Sequence, residues 1–317
     1  MDLLEQYSLW PELLLEGFET GRSLPLEERE VVICGLGGSG AAGDFLSAVA
    51  SAHRLDLSVR VHKGFGLPLW ARGKPVFALS YSGETLETLS CFREALASGS
   101  RVVAVSSGGA LQEEARRGGT PWLGVRKGLL PRAALPSMLG ILLGSTASGY
   151  ISEDDLLAAY NSMRTFMADE AEPFAELAAE VDVLVVGACG ELGVIAERWR
   201  QEFSENAKVL VKSEVYPESA HNDIVAWQAG RAAKVGFVAV KGEGVCREVM
   251  ELVKEKYSLH GKVLELELGR ATLASLLKGA QVGGVASVLA AKRRRTAPEA
   301  TPFISDYKQR LKRALSA

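Results

Sequence analysis

The residues of this chain best suited to acid–base chemistry lie in its second half. Glu205 ends the segment RWRQEFSE and is followed by Asn206, a residue that commonly stops a helix. A carboxylate there faces the negative end of the helix dipole, which raises its pKa and suits it to act as a general base. His221, in the polar segment ESAHND, carries an imidazole that can donate or accept a proton. By residue type alone, either side chain could equally be an ordinary surface group.

A glycine loop in the first half is suited to phosphate binding. Residues 35–44, GLGGSGAAGD, directly follow the apolar run VVIC. A loop between a strand and a helix exposes backbone N–H groups where the helix dipole favours an anion. The loop also has the G-x-G-x-x-G spacing of a dinucleotide-binding turn, but the next strand ends in RVHK and not in the acid that would bind a ribose. A smaller phosphate ester is therefore favoured, while NADP held by Arg60 or Lys63 stays open.

A second polar loop follows the third apolar run of the chain. The segment LSYSGETLET places Ser80, Ser82 and Thr85 within six residues, just before a predicted helix. Their hydroxyls can donate to phosphate oxygens, although Ser82 and Thr85 could also be helix N-caps. Because loops at the carboxyl ends of parallel strands meet at one sheet edge, we expect this loop to join the first one in a phosphate site. The glycine loop contributes Gly37, Gly38 and Ser39.

Eight short apolar, β-branched runs predict the elements that must position these groups. The first half contains EVVICG, LSVRVH, PVFALS and RVVAVSS, and the second contains VDVLVVG, AKVLVKSEV, AKVGFVAVKG and GKVLELELG. Corresponding runs are offset by about 150 to 160 residues, which indicates a duplication. The predicted fold class is α/β, with two domains that each have a parallel sheet flanked by helices. We expect the domains to span residues 1–151 and 152–317, with the seam in the acidic stretch that starts at 152.

Composition limits the classes of protein and partner. The chain of 317 residues is 47% hydrophobic, with a net charge of -3, which gives no electrostatic reason for a nucleic-acid partner. The uncharged stretch 133–152 is interrupted by proline and glycines and predicts a buried core helix, not a membrane span. The acidic N-terminus argues against a secretory signal. The four cysteines are far apart in the sequence, which signals neither a zinc site nor a disulfide framework and favours a reducing cytoplasm.

The two loops together resemble a known domain. GLGGSG followed by SYSGET is similar to the sugar isomerase (SIS) domain, a flavodoxin-like fold that binds phosphosugars with serine-rich loops. The tandem arrangement resembles phosphoglucose isomerases. The segments ENAK and PESAHND resemble those of the archaeal-type bifunctional phosphoglucose/phosphomannose isomerases. That resemblance implies that Glu205 is the proton-transfer base and that His221 assists ring opening from the neighbouring subunit of an obligate homodimer.

The same resemblance assigns roles to three further residues. The spacing from Thr301 to Lys308 is similar to the end of the family's chain, where a threonine and a lysine complete the site. Arg132, in LLPRAALPSM, matches the family's arginine that faces the sugar oxygens, where it can hold developing negative charge. From the residues alone, Lys308 could instead cover an apolar helix face with its stem, and Arg132 could be a surface residue.

The implied activity is reversible conversion of glucose 6-phosphate, and also mannose 6-phosphate, to fructose 6-phosphate through a cis-enediolate. Lys308 would assist His221 near the ring oxygen, and the small Thr301 would permit mannose as a substrate. The resemblance implies no cofactor, and the sequence has no ligand cluster that suggests a metal. Two alternatives stay open: an SIS isomerase of a pentose or heptose phosphate, and a noncatalytic phosphosugar-sensing module.

Overall fold

Helices and strands alternate along most of the chain. The computed structural model describes residues 1–165, 168–228 and 233–316. The first half contains α1 (Leu3–Ser8), α2 (Trp10–Arg22), β1 (Glu30–Cys34), α3 (Gly37–Ala52), β2 (Ser58–His62), β3 (Val76–Leu79), α4 (Leu86–Ala97), β4 (Val102–Ser106), α5 (Gly109–Arg117), β5 (Trp122–Gly124) and α6 (Leu135–Thr146). The second half contains α7 (Glu153–Arg164), α8 (Ala168–Glu180), β6 (Val183–Cys189), α9 (Gly193–Asn206), β7 (Leu210–Tyr216), β8 (Val235–Lys241), α10 (Val245–Ser258), β9 (Lys262–Glu267), α11 (Leu273–Arg293) and α12 (Pro302–Ser316).

The strands form two parallel sheets, as the apolar runs predict. One has the order β2-β1-β3-β4-β5 and the other the order β7-β6-β8-β9. Strand order reverses beside β1 in the first sheet and beside β6 in the second, which opens a crevice at the carboxyl ends of these central strands. All eight predicted strands are present, whereas β5 was missed because its three residues are too few to show a pattern.

The core explains the apolar stretch before residue 152. Every residue of α6 is buried, so the prediction of a core helix is confirmed. Its glycines allow α2 to approach closely, because a Cβ at Gly140 would lie 2.4 Å from the carbonyl oxygen of Leu14. By length and composition α11 could cross a membrane, but 78% of its apolar window is buried in the protein, and a single such helix is weak evidence for a span.

The predicted seam is helical. Ser152 caps α7, and its hydroxyl accepts a hydrogen bond from the backbone N–H of Asp155 at 3.1 Å. The main hydrophobic core, however, includes side chains from both halves, from Leu3 through to Ala291. The boundary between residues 151 and 152 therefore stays a prediction.

The expectation about the cysteines was wrong. Cys34 is bonded to Cys91, and Cys189 to Cys246. Each pair joins the end of a central strand to the fourth helix or strand after it, so partners that are 57 residues apart in sequence meet in the fold. Spacing in the sequence could not reveal this because a crossover brings the two segments together. A reducing compartment was inferred because the cysteines were expected to be unpaired, so the disulfides remove the basis for that inference.

Candidate active site

The two polar loops of the first half are in direct contact. The hydroxyl oxygen of Ser39, which is buried at the start of α3, accepts a hydrogen bond from the backbone N–H of Tyr81 at 3.1 Å. Gly38 lies against the segment before α6, where a Cβ would meet the carbonyl oxygen of Pro131 at 2.8 Å. The glycine loop is thus held between the loop that follows β3 and the segment that carries Arg132.

The hydroxyls of the second loop shape a tight turn. Ser80 donates to the hydroxyl oxygen of Thr85 at 2.9 Å and accepts from the backbone N–H of Gly83 at 3.1 Å. Thr85 is the N-cap residue of α4, yet its side chain caps no backbone N–H group. The hydroxyl oxygen of Ser82, which is exposed, accepts from the backbone N–H of Glu84 at 3.2 Å. The simple N-cap alternative therefore fails for Thr85, and the loop presents its polar groups at the sheet edge.

Arg132 connects three distant parts of the chain. It lies in the 3-10 turn Pro131–Ala134 and is 5% exposed, which contradicts the surface-residue alternative. Its guanidinium donates to Asn206 Oδ1 at 2.7 Å, to Glu205 Oε2 at 3.0 Å and to the carbonyl oxygen of Pro298 at 2.8 Å. The glycine loop, the end of α9 and the approach to α12 therefore meet around one buried arginine.

Glu205 has the environment of a general base. It is the penultimate residue of α9, whose buried face includes Ile195, Trp199 and Phe203. The Glu205 side chain is 31% exposed. Burial raises the pKa of Glu205, and the positive charge of Arg132 partly opposes that rise. The direction agrees with the prediction from the helix end, but its main cause is loss of solvent and not the dipole.

A buried polar network supports this pair from behind, and the sequence pattern did not reveal it. Glu202, which has no solvent exposure, accepts from the hydroxyl of Tyr7 at 2.6 Å and from Asn206 Nδ2 at 3.0 Å. It is also ion-paired with Arg198, which donates to the main-chain carbonyl of Arg132 at 2.6 Å. Burial, followed by the nearby Glu202 charge, raises the pKa of Tyr7 well above its ordinary value. The network fixes Arg132 through both its main chain and its side chain.

Lys208 is a second residue whose position the sequence did not reveal. Its ammonium group donates to the main-chain carbonyl oxygens of Glu205 at 2.5 Å and of Ala297 at 2.9 Å. Partial desolvation, with the positive charge of Arg132 nearby, lowers the pKa of Lys208. The lysine ends the ENAK segment, so a signal was available, but the pattern gave it no role. Its contacts tie the end of α9 to the chain that leads into α12.

The remaining candidates lie apart from this cluster within one chain. His221 ends an exposed 3-10 turn, Glu218–His221, and Lys308 is exposed on α12. Over residues 1–165, 168–228 and 233–316, no hydrogen bond or ion pair joins either side chain to Glu205. Thr301 is partly buried and follows Pro298 by three residues, a distance of at most about 11 Å of extended chain.

Comparison with known proteins identifies the family. The bifunctional phosphoglucose/phosphomannose isomerase of Aeropyrum pernix is 37% identical to this chain, over 98% of this chain and 98% of its own length. The chain belongs to this isomerase family. The protein of the same name from Pyrobaculum calidifontis is 30% identical over 98% of this chain and all of its own length. These relatives are enzymes, and so is this chain.

Two further comparisons concern the fold of this phosphoglucose/phosphomannose isomerase family member. A profile of the bacterial phospho-glucose isomerase C-terminal SIS domain matches residues 167–311, which include Glu205 and His221. The crystal structure of a hypothetical protein from Thermus thermophilus, 17% identical, superposes with a TM-score of 0.73 over 100% of this chain and 91% of that one. At that identity the likeness bears on the fold alone.

Proposed function

We propose that this isomerase converts glucose 6-phosphate and mannose 6-phosphate reversibly into fructose 6-phosphate through a cis-enediolate. The observation that carries the proposal is the position of Arg132, between the phosphate-type loops and Glu205. One buried cation beside a carboxylate of raised pKa suits a reaction that moves a proton and creates a transient negative charge. Phosphoglucose and phosphomannose, after which the relatives are named, each have both a phosphate and an aldose carbonyl.

The phosphate is assigned to the two contacting loops of the first half. Gly37, Gly38 and Ser39 form the first turn of α3, where the backbone N–H groups and the helix dipole favour an anion. Ser82 is exposed, and Ser80 and Thr85 line the same turn. A bound phosphate would replace some of the hydrogen bonds that these hydroxyls now make within the loop. The residues assigned to the phosphate are all uncharged, so they would hold it with hydroxyl and backbone N–H groups.

Glu205 is assigned the proton transfer. In its ionised form it takes the proton from C2 of the open-chain aldose, leaving an enediolate. A proton passes from the C2 oxygen to the C1 oxygen, and Glu205 then returns its proton to C1, which gives the ketose. Arg132 donates hydrogen bonds to the enediolate oxygens where negative charge develops. Because burial raises the pKa of Glu205, the carboxylate is a stronger base than a solvated glutamate, and the positive charge of Arg132 partly opposes that rise.

The remaining roles are assigned to a homodimer. His221 and Lys308 open the sugar ring, and Thr301 leaves room for rotation about C2–C3 of the enediolate, as mannose requires. His221 is exposed and lies beyond β7, the edge strand of its sheet. The helix α12 has an apolar face that includes Phe303, 90% exposed, and Tyr307, 56% exposed. Both features suit a contact with a second copy, through which His221 reaches the other subunit's site.

Activity assays test the substrate and the base together. Fructose 6-phosphate formation is measured from glucose 6-phosphate and from mannose 6-phosphate, with the wild type, Glu205→Gln and the control Glu255→Gln, which changes an exposed acid on α10. We expect both substrates to react and only Glu205→Gln to abolish turnover. Reaction of glucose 6-phosphate alone would remove the role given to Thr301. If neither sugar reacts, the isomerase of another sugar phosphate and the sensing module become the better interpretations.

A mixing experiment tests the shared site. Glu205→Gln and His221→Ala are each inactive alone, and they are combined under conditions in which dimers exchange subunits. If His221 serves the partner's Glu205, each mixed dimer has one intact site, and about a quarter of the wild-type activity returns at full random exchange. If His221 serves its own chain, every site stays defective and mixing restores nothing. We also propose a cytoplasmic location, because the relatives named above are metabolic enzymes that act on sugar phosphates.

A further inference from the structure

The two disulfides occupy equivalent places in the two sheets. Cys34 ends β1 and Cys189 ends β6, and each of these strands lies beside the crevice of its sheet. Their partners, Cys91 in α4 and Cys246 in α10, lie on the helices that follow the next strand across. Because the positions are equivalent, the rate of thiol exchange at one disulfide can be compared directly with the rate at the other.

Access to solvent differs between the pairs. Cys34 is 1% exposed and Cys91 is not exposed, and both belong to a packed apolar cluster. Cys189 and Cys246, in contrast, line a cavity of about 250 Å³ at the carboxyl edge of the second sheet. Cys246 is partly exposed, whereas Cys189 is 4% exposed, so Cys246 Sγ is the sulfur that an incoming molecule can reach.

Glycine keeps the approach to that sulfur open. Gly190 has a φ of +61°, and a Cβ at this position would lie 3.3 Å from Cys246 Sγ. A side chain there would be strained by the backbone conformation and would also crowd the sulfur. The turn after β6 therefore leaves a gap beside the disulfide.

The charges around the cavity select a ligand class. Its lining includes Arg54 and Arg270, together with Glu191 and Glu243. The hydroxyl of Ser51 donates to Glu191 at 2.8 Å and holds that carboxylate in place. The equivalent crevice of the first sheet carries serine and threonine hydroxyls, whereas these glutamates would repel a phosphate. Arginines and glutamates that line the same small cavity complement a molecule with both a carboxylate and an ammonium group.

We propose that the Cys189–Cys246 disulfide is an exchange site for a small thiol of the amino-acid type. The thiol, deprotonated, attacks Cys246 Sγ, which forms a new S–S bond as the Cys189–Cys246 bond breaks. Cys189 leaves as a thiolate and takes up the proton that the incoming thiol released, so the step needs no other oxidant or reductant. The product is a mixed disulfide on Cys246 and a free thiol at Cys189.

Cysteine is the probe for the test. Native wild-type protein is incubated with cysteine, quenched by alkylation, and analysed by peptide mass spectrometry. We expect a cysteinyl adduct on Cys246, and loss of the Cys189–Cys246 bond at least about tenfold faster than loss of Cys34–Cys91, because exchange depends on access. Equal rates, faster loss of Cys34–Cys91, or no adduct on Cys246 would overturn the proposal.

The charge argument has its own control. The rate with cysteine is divided by the rate with 2-mercaptoethanol, which lacks both charges, in the wild type and in Arg270→Gln. We expect this ratio to fall in the variant, while the rate with 2-mercaptoethanol stays unchanged and shows that the disulfide is equally accessible. An unchanged ratio would show that the charges of the thiol do not matter and would overturn the amino-acid part of the proposal.

The double variant Cys34→Ser/Cys91→Ser repeats the adduct measurement with a single disulfide, and the same Cys246 adduct is expected.

Discussion

Arg132 is expected to control the pH at which the isomerase loses activity. Its guanidinium lies 3.0 Å from Glu205 Oε2 and opposes the rise in pKa that burial causes. An opposite charge this close favours the ionised form of a carboxyl group and lowers its pKa. Arg132→Met removes that charge, so we expect the pKa of Glu205 to rise further.

The sign follows from the role of Glu205. The carboxyl is a base only when ionised, so activity falls as pH decreases through its pKa, and a raised pKa moves that acid limb to higher pH. The pH dependence of kcat/KM is measured for both hexose 6-phosphates, since this parameter reports groups of the free enzyme. The phosphate of the substrate titrates identically in every variant, so a shift between variants belongs to the protein.

A second variant separates charge from geometry. Arg132→Lys keeps a positive charge but has a single nitrogen to replace the contacts with Glu205, Asn206 and Pro298. Its acid limb should stay near that of the wild type, while its plateau activity falls. In Arg132→Met both change, with a plateau loss of about 10²–10³-fold from lost stabilisation of the enediolate. An acid limb in Arg132→Met that coincides with the wild type would refute the charge argument.

Two further predictions concern the loops and the second sheet. Gly38→Ala places a Cβ 2.8 Å from a backbone carbonyl and should raise KM by moving the phosphate loop away from Arg132, whereas Gly149→Ala, with nothing within 4 Å, should leave steady-state kinetics unchanged. Lys241→Met removes an ammonium that holds the pKa of Glu265 below its usual value, and should lower the free energy of unfolding by about 1–3 kcal/mol at pH 7. Because the pair stabilises the fold only where the carboxylate is ionised, the difference in urea unfolding should shrink as pH falls below about 4.5; a constant difference would contradict the pairing.

Most strands could be predicted from local sequence pattern. The contacts between distant segments could be predicted only in part. Buried parallel strands are short apolar runs, so β1 and β6 are evident in the sequence, whereas β5 is too short to be recognised. The contact between the loops after β1 and β3 follows from parallel topology, which brings strand ends to one edge. The pairing of Cys34 with Cys91 depends on where α4 packs against the end of β1. Local sequence pattern does not determine that position.

The site itself shows where local pattern stops. Glu205 was identified at a helix end, but the raised pKa comes chiefly from burial, which depends on the residues packed around it. The neighbouring Glu202 looks like any helical acid in the sequence, yet it is fully buried among Arg198, Asn206 and Tyr7. Tyr7 is 195 residues away from Glu202, so no window of sequence could join them.

The distribution of these groups gives a reason for the duplication. The hydroxyl loops belong to the first half, while Glu205, His221 and Lys308 all belong to the second, and Arg132 of the first half bonds to Glu205 across the join. The equivalent crevice of the second sheet is lined by Glu191 and Glu243, whose carboxylates disfavour a phosphate. In the proposed mechanism, one half holds the phosphate and the other moves the proton. In that mechanism neither half alone contains a complete site. The hydrophobic core that the two halves share holds the phosphate loops at a fixed distance from Glu205.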